Sequence, residues 1–73
     1  DRDNTYAFFR YNDKEVVFVY VNNSFDSRQV PWSRYAEISA KLGAGRNVVT
    51  GEMMDMSKVT VEPMSALVVE FQL

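Results

Sequence analysis

The feature that most constrains the fold is an uninterrupted strand-forming run, VVFVYVN, at residues 16–22. Valine, phenylalanine and tyrosine favour strands, and consecutive apolar positions are typical of a central strand that is covered on both faces. The preceding segment, TYAFFRYN at 5–12, is also rich in strand-forming residues. The polar segment NDKE joins the two, and Asn12 and Asp13 both favour turns. This arrangement predicts a β-hairpin.

Further short strand-like segments follow, with turn residues about every eight to twelve positions. RQVPW has a proline, which suits an edge strand, and NVVTGE runs into a glycine turn. MMDM and KVTVE are expected to pair with each other through the tight DMSK stretch. Because no long helical segment separates these strands, the sequence predicts an all-β fold, a small antiparallel β-sandwich of six to seven short strands.

The final segment, PMSALVVEFQL at 63–73, is strongly strand-like after its first three residues. Alternation places Leu67, Val69 and Phe71 on one face, so we expect this strand to pair with a partner and complete a sheet. The proline turn that precedes it is expected to use the hydroxyl of Ser65 as a cap.

The segment SRYAEISAKLG at 33–43 does not give a single prediction. Ser33 is suited to cap a short helix and Gly43 to end it. The apolar residues between them do not follow a clean helical spacing, however. A short helix, a single turn and an irregular loop therefore all remain open for this segment.

Composition limits the size of the protein and its classes of partner. A chain of 73 residues forms one domain, and 47% apolar and 14% aromatic residues suffice for a core. The net charge of −2 is spread along the chain, unlike the basic surface of a nucleic-acid binder. The longest apolar run, at 16–21, is far short of the roughly 20 residues that span a membrane. We therefore expect neither nucleic acid nor membrane as a partner.

The chain lacks cysteine and histidine, which removes the thiolate and the commonest general base and metal ligand. We expect no catalytic residue, no metal site and no cofactor. Glu52 and Asp55 are the nearest carboxylates with some apolar context, and a solvated turn explains them better than a catalytic pair. The segment 22–24 matches the N-glycosylation pattern, but turn chemistry explains it better.

Two aromatic residues, Trp32 and Tyr35, are the candidate contact residues. Sugars bind on exposed aromatic faces, so an exposed Trp–Tyr pair would suit an α-glucan. The alternative is that Trp32 packs over the open end of the sandwich or against a neighbouring domain, since large aromatic residues supply much of the buried area in a small chain. Both residues are therefore candidates for a glucan contact or an interdomain contact.

Three blocks of sequence resemble a known family. They are YAFFRYNDKEVVFVYVNNS at 6–24, VVTGE at 48–52 and PMSALVVEFQL at 63–73. In this order and spacing they resemble the C-terminal β-domain of the alpha-amylase family of glycoside hydrolases, most closely that of the neopullulanase and cyclomaltodextrinase group. WSRYAE is also similar to the family pattern, whereas Met64 departs from it.

The resemblance implies that residues 5–73 are the C-terminal domain of a larger starch- or maltodextrin-degrading enzyme, with 1–4 as a linker or boundary. It places the catalytic carboxylates in a barrel domain outside this sequence, and implies that the present domain packs on that barrel and stabilises it. The alternative function is an α-glucan-binding module. The resemblance also suggests a periplasmic or secreted protein. An exposed apolar patch for the barrel is expected at Trp32 and Tyr35, with three further candidates: Met53, Met54 and Met56.

Overall fold

The computed structural model describes residues 4–35 and 42–72. Within these residues, seven strands alternate with loops and two short 3₁₀ helices. The strands are β1 (Thr5–Tyr11), β2 (Glu15–Asn22), β3 (Arg28–Gln29), β4 (Gly45–Asn47), β5 (Met53–Met54), β6 (Thr60–Val61) and β7 (Ser65–Gln72); the 3₁₀ helices are Trp32–Tyr35 and Met56–Lys58. Neither helix has the length and hydropathy needed to cross a membrane.

The strands form two antiparallel sheets. The larger sheet has the strand order β1-β2-β7-β4-β5, and β3 pairs with β6 in the smaller one. The buried core lies between them and contains Phe18, Val69 and Phe71 from the larger sheet and Val61 from the smaller one. The prediction of a small all-β sandwich with six to seven strands is confirmed.

The β1–β2 hairpin forms where the sequence predicts it. Its strands pair in register from Thr5 opposite Asn22 to Tyr11 opposite Val16. The side-chain oxygen of Asn12 accepts hydrogen bonds from the backbone N–H groups of Lys14, at 2.8 Å, and Glu15, at 2.9 Å. This side chain holds the turn, as expected for asparagine at the start of a tight connection.

The last strand, β7, lies between β2 and β4 in the larger sheet. Its inward side chains, Leu67, Val69 and Phe71, are buried, as the alternation predicts. Burying a large apolar side chain contributes about 1.5–3 kcal/mol, so β7 supplies a large share of the core. The turn before it also matches the prediction, because the Ser65 hydroxyl donates to the carbonyl of Pro63 at 3.2 Å.

The expected pairing of MMDM with KVTVE is wrong. β5 pairs with β4 in the larger sheet, whereas β6 pairs with β3 in the smaller one. The intervening residues form the 3₁₀ helix Met56–Lys58 instead of a hairpin turn, because Asp55 caps it by accepting from the backbone N–H of Ser57. The chain thus passes from the larger sheet to the smaller one through this helix, and the buried side chain of Met56 packs the helix against the core.

The ambiguous segment after the first proline begins as the 3₁₀ helix Trp32–Tyr35. Residues 36–41, which the helix prediction also used, lie outside the described residues, as do residues 1–3 and residue 73; the last two positions of the segment, Leu42 and Gly43, are described and are not helical. The prediction of a linker at 1–4 therefore concerns mostly positions that the structure does not describe.

The turn chemistry expected at 22–24 is present, and Asn22 at the start of this segment joins the two sheets. Asn22 is fully buried at the end of β2. Its side-chain nitrogen donates to the carbonyls of Val61, Glu62 and Asp26 at 2.9–3.1 Å. Its side-chain oxygen accepts from the backbone N–H and hydroxyl of Ser24. Turn chemistry therefore accounts for the glycosylation-like pattern at 22–24.

The expectation that β2 is covered on both faces is wrong for the described part of the chain. Val16, Phe18 and Tyr20 face the core and are buried, whereas Val17, Val19 and Val21 on the other face are only half-buried. The smaller sheet is only two strands wide, and it packs on one side of the larger sheet. The other face, here called the open face, is left without a second layer among the described residues.

Candidate functional site

The short 3₁₀ helix places Trp32 and Tyr35 side by side. Residues three apart are stacked one above the other in a 3₁₀ helix, and the two ring centroids are 6.1 Å apart with an interplanar angle of 63°. Pro31 starts this turn, and its carbonyl accepts from the backbone N–H of Arg34 at 3.0 Å. The structure thus brings together the two residues that the sequence predicts as contact residues.

Both rings pack inwards on the aromatic part of the core. Trp32 is stacked on Phe71, with centroids 5.5 Å apart and an interplanar angle of 17°, and it meets Phe18 edge-on at 5.1 Å. The ring of Tyr35 packs against those of Phe9 and Phe18, with centroid distances of 5.6 Å in both cases. Each ring is half-buried, so the pair presents edges and partial faces to solvent and not a flat double platform.

Burial raises the pKa of the Tyr35 hydroxyl, with a smaller contribution in the same direction from Tyr20 and an opposing one from Arg34. The phenol is therefore neutral at physiological pH and able both to donate and to accept a hydrogen bond. Such a group at the edge of an apolar surface can fix the orientation of a hydroxyl-rich ligand or of a partner's backbone.

Two open grooves flank Trp32. Both are bordered by Trp32 and Ser57, which therefore lie on the ridge between them. The first, of about 490 Å³, is lined by Trp32, Gly43, Ala44 and residues 53–57. The second, of about 440 Å³, is lined by residues 29–33 and Ser57. Each groove combines an apolar surface with a few hydroxyl, amide or carboxylate groups.

The carboxylate that lines the first groove, that of Asp55, has a structural partner. Asp55 accepts from the backbone N–H of Ser57 at 3.1 Å and from its hydroxyl at 2.7 Å. These hydrogen bonds hold the pKa of Asp55 below its usual value, with a small further lowering by Lys58. A low pKa keeps this carboxyl ionised and unsuited to act as a general acid. Glu52 is exposed at the adjoining turn.

The three methionines predicted as contact residues differ in their exposure. Met56 is buried in the core, Met54 is half-buried against it, and Met53 is exposed. Only Met53 and Met54 can therefore contribute to an apolar surface. The proposed contact role of Trp32 and Tyr35 stays a prediction.

An ionic cluster on the open face was not anticipated from the sequence. Arg46 on β4 forms an ion pair with Glu70 on β7, and Glu15 on β2 lies beside them. A hydrogen bond between the two carboxyl groups raises the pKa of Glu15, and it lowers the pKa of Glu70, which Arg46 lowers further. Cross-strand neighbours of this kind depend on register, which the sequence alone does not reveal.

Among residues 4–35 and 42–72, no cluster of three or more acidic, histidine or cysteine side chains could hold a metal ion. The ionisable groups with shifted pKa values in this part of the chain are accounted for by the capping, pairing and burial described above. What the described surface offers is therefore apolar and aromatic contact area with polar groups at its margins.

Comparison with known families gives one match of nearly full length. Residues 2–70 match the family model described as "Cyclo-malto-dextrinase C-terminal domain". Comparison with curated proteins gave no match. The match covers both sheets almost completely, and it includes the 3₁₀ helix Trp32–Tyr35 and the loops that line the two grooves.

Proposed function

This chain belongs to the Cyclo-malto-dextrinase C-terminal domain family, and we propose that it is the non-catalytic C-terminal domain of a larger alpha-amylase-family glycoside hydrolase. In this proposal residues 5–73 follow the catalytic barrel, pack on it and stabilise it. The parent enzyme degrades starch or maltodextrins, with a specificity like that of neopullulanase or cyclomaltodextrinase. The observation that carries the proposal is the family match over residues 2–70.

The chemistry of the carboxyl groups supports assigning hydrolysis to another domain. Glycoside hydrolysis ordinarily requires two carboxyl groups that flank the scissile bond, one with a raised pKa. Among the described residues, the carboxyl group whose pKa is raised is that of Glu15, which lies beside Glu70 on the surface of the larger sheet. It does not line either of the two grooves beside Trp32.

The proposal is tested by comparing the parent enzyme with a version that ends before Asn4, using β-cyclodextrin and starch as substrates. We expect the truncated enzyme to keep its turnover number within about twofold at room temperature, because the reacting groups lie in the barrel. We expect it to lose activity faster on heating, because the stabilising contacts are gone. The purified 73-residue chain is expected to hydrolyse neither substrate.

Two results would overturn the proposal. Hydrolysis by the 73-residue chain would place catalytic groups within it. A truncated enzyme that is folded, as judged by circular dichroism, but has lost turnover at every temperature would show that this domain contributes directly to the reaction.

A second candidate function is α-glucan binding at Trp32 and Tyr35. The observation that favours it is the position of Trp32 between two open grooves, with the Ser57 hydroxyl on the same ridge. A partly exposed indole offers an apolar surface to the CH-rich face of a glucose unit, and the hydroxyl and amide groups at the margins suit sugar hydroxyls.

Amide NMR titration with maltoheptaose and β-cyclodextrin separates the two candidates, with cellobiose as the β-linked control. Saturable shifts at Trp32, Tyr35 and Ser57 would make the domain a glucan-binding module. Trp32→Phe keeps an aromatic ring against Phe71 and should weaken such binding without unfolding the chain. Unchanged spectra at millimolar ligand would leave barrel packing as the better account.

A further inference from the structure

We infer that the open face of the larger sheet is the surface that docks on the domain preceding this one in the same chain, an inference that rests on the proposed function. The surface differs from the Trp32–Tyr35 site, which packs against the opposite face of the same sheet. Its centre is an apolar strip on β1, β2 and β7, and its border is the ionic cluster.

Cross-strand register divides the open face into four rows, of which the last is the polar pair Glu15 and Gln72. Tyr6, Val21 and Ala66 form the first row, and Phe8, Val19 and Val68 form the second. The third row is Arg10, Val17, Glu70 and Arg46. Two neighbouring rows are therefore wholly apolar, and the third is largely charged.

The apolar rows are substantially exposed. Tyr6 is 53% and Phe8 is 44% exposed, and the valines of β2 on this side are half-buried. Val48, which follows β4 and donates its backbone N–H to the carbonyl of Val68, is 48% exposed. Contiguous apolar area on a sheet face is uncommon on a monomer and marks contact surfaces. The described residues provide no second layer over these rows.

The arrangement of polar groups is that of an interface. A contact surface ordinarily has an apolar centre and a polar rim, and large aromatic residues near its centre contribute most of the binding energy. Tyr6 and Phe8 are the large aromatic residues of the two apolar rows. Arg10 and the Arg46–Glu70 pair form the rim on one side, where they can meet charged or polar groups of the partner.

The position of the chain entry favours the preceding domain as the occupant. β1 begins at Thr5, one residue before Tyr6, and the backbone N–H of Asn23 donates to the carbonyl of Asn4 at 2.9 Å, which fixes this entry beside the end of β2. A domain joined ahead of β1 is thus tethered at the apolar end of the open face. Tethering gives it a high effective concentration there, which an unlinked partner or a second copy lacks.

The test uses the parent enzyme with a protease cleavage site placed ahead of Asn4. After cleavage, gel filtration shows whether the two parts remain together without a covalent link. We expect the cleaved wild-type enzyme to elute as one complex. Phe8→Glu, which puts a charge in the centre of the open face, should weaken the complex by about 30-fold or more and separate the parts.

Tyr11→Glu is the matched control. Tyr11 lies on the same strand and is 60% exposed, but its side chain is on the other face, next to Phe9. This variant should remain in one complex after cleavage. Val19→Thr is a second open-face variant, and it keeps the shape and the branching of the side chain. It tests the same surface if Phe8→Glu fails to fold, and it should also weaken the complex.

The outcomes separate the inference from the proposed function. Separation of Phe8→Glu and Val19→Thr, with the wild type and Tyr11→Glu intact, supports the inference. A complex that survives both open-face substitutions would overturn the inference and leave the docking role standing. Separation of the cleaved wild-type parts at micromolar concentration would overturn both.

Discussion

A single buried amide, that of Asn22, connects the two sheets. It spans from the end of β2 to the carbonyl of Val61 on β6, 39 positions along the chain. The sequence predicts a turn at this asparagine because side-chain hydrogen bonds to the local backbone are common there. It does not reveal the distant carbonyls, because local pattern carries no information about which segments meet in space.

Asn22→Ala is expected to destabilise the chain by about 3 kcal/mol, because it leaves buried backbone carbonyls without donors. The measurement is the free energy of unfolding from urea denaturation. Asn23→Ala, at the exposed next position, is the control and should change stability by less than about 0.5 kcal/mol. Equal effects at the two positions would contradict the assigned role of Asn22.

Gly45 on β4 is required by close packing. A Cβ atom at this position would overlap the side chain of Val69 and lie 2.8 Å from Cε2 of Phe71. Gly45→Ala should therefore cost about 1–3 kcal/mol through overpacking. Gly43→Ala is the control, since a Cβ there meets no atom within 4 Å. Urea denaturation of both variants tests the contrast, and a neutral Gly45→Ala would show that the core can shift to accept a methyl group.

At the scale of single elements, prediction from sequence succeeded where structure is local. The β1–β2 hairpin follows from two strand-forming runs and an asparagine turn. The pairing of β5 with β6 was wrong because a tight polar turn between strand-like segments is compatible with either a hairpin or a crossing between sheets. In the structure the chain crosses between the sheets, because Asp55 caps a 3₁₀ helix there and the buried side chain of Met56 packs that helix against the core.

The cap of the second 3₁₀ helix, Met56–Lys58, should contribute less to the stability of the fold in acid. The folded-state pKa of Asp55 lies below its ordinary value of 3.8, so the ionised form stabilises the fold at pH values above the unfolded pKa. That stabilisation is lost as pH falls through the folded-state pKa.

Asp55→Asn, which mimics the neutral acid, should thus have a lower Tm than the wild type at neutral pH. The difference should shrink as the pH falls from neutrality through the folded-state pKa of Asp55 and vanish below it, where the wild-type carboxyl is also neutral. Thermal unfolding followed by circular dichroism across this range provides the test. A difference that grows in acid would show that the carboxylate is not stabilised by its contacts with Ser57.

At the scale of the whole molecule, the sequence indicated the sandwich but not which apolar face of the larger sheet lacks a second layer. Both sides of β2 are equally apolar in sequence, so the sequence does not show which side is covered. In the structure the smaller sheet and both 3₁₀ helices pack on the same side, which leaves the other side open among the described residues. The predicted aromatic pair is present, but its rings are packed on Phe71, Phe18 and Phe9. The alternation of apolar residues on β1 was the one available signal for the open face, because Tyr6 and Phe8 share a side.

Differential scanning calorimetry of the parent enzyme, with and without residues 4–73, tests the central claim most directly. If this domain packs on the catalytic barrel and stabilises it, the two should unfold in one coupled transition. Removing the domain should then lower the Tm of the barrel by about 5 °C or more. An unchanged barrel Tm, with residues 4–73 unfolding in a separate transition of their own, would contradict the claim.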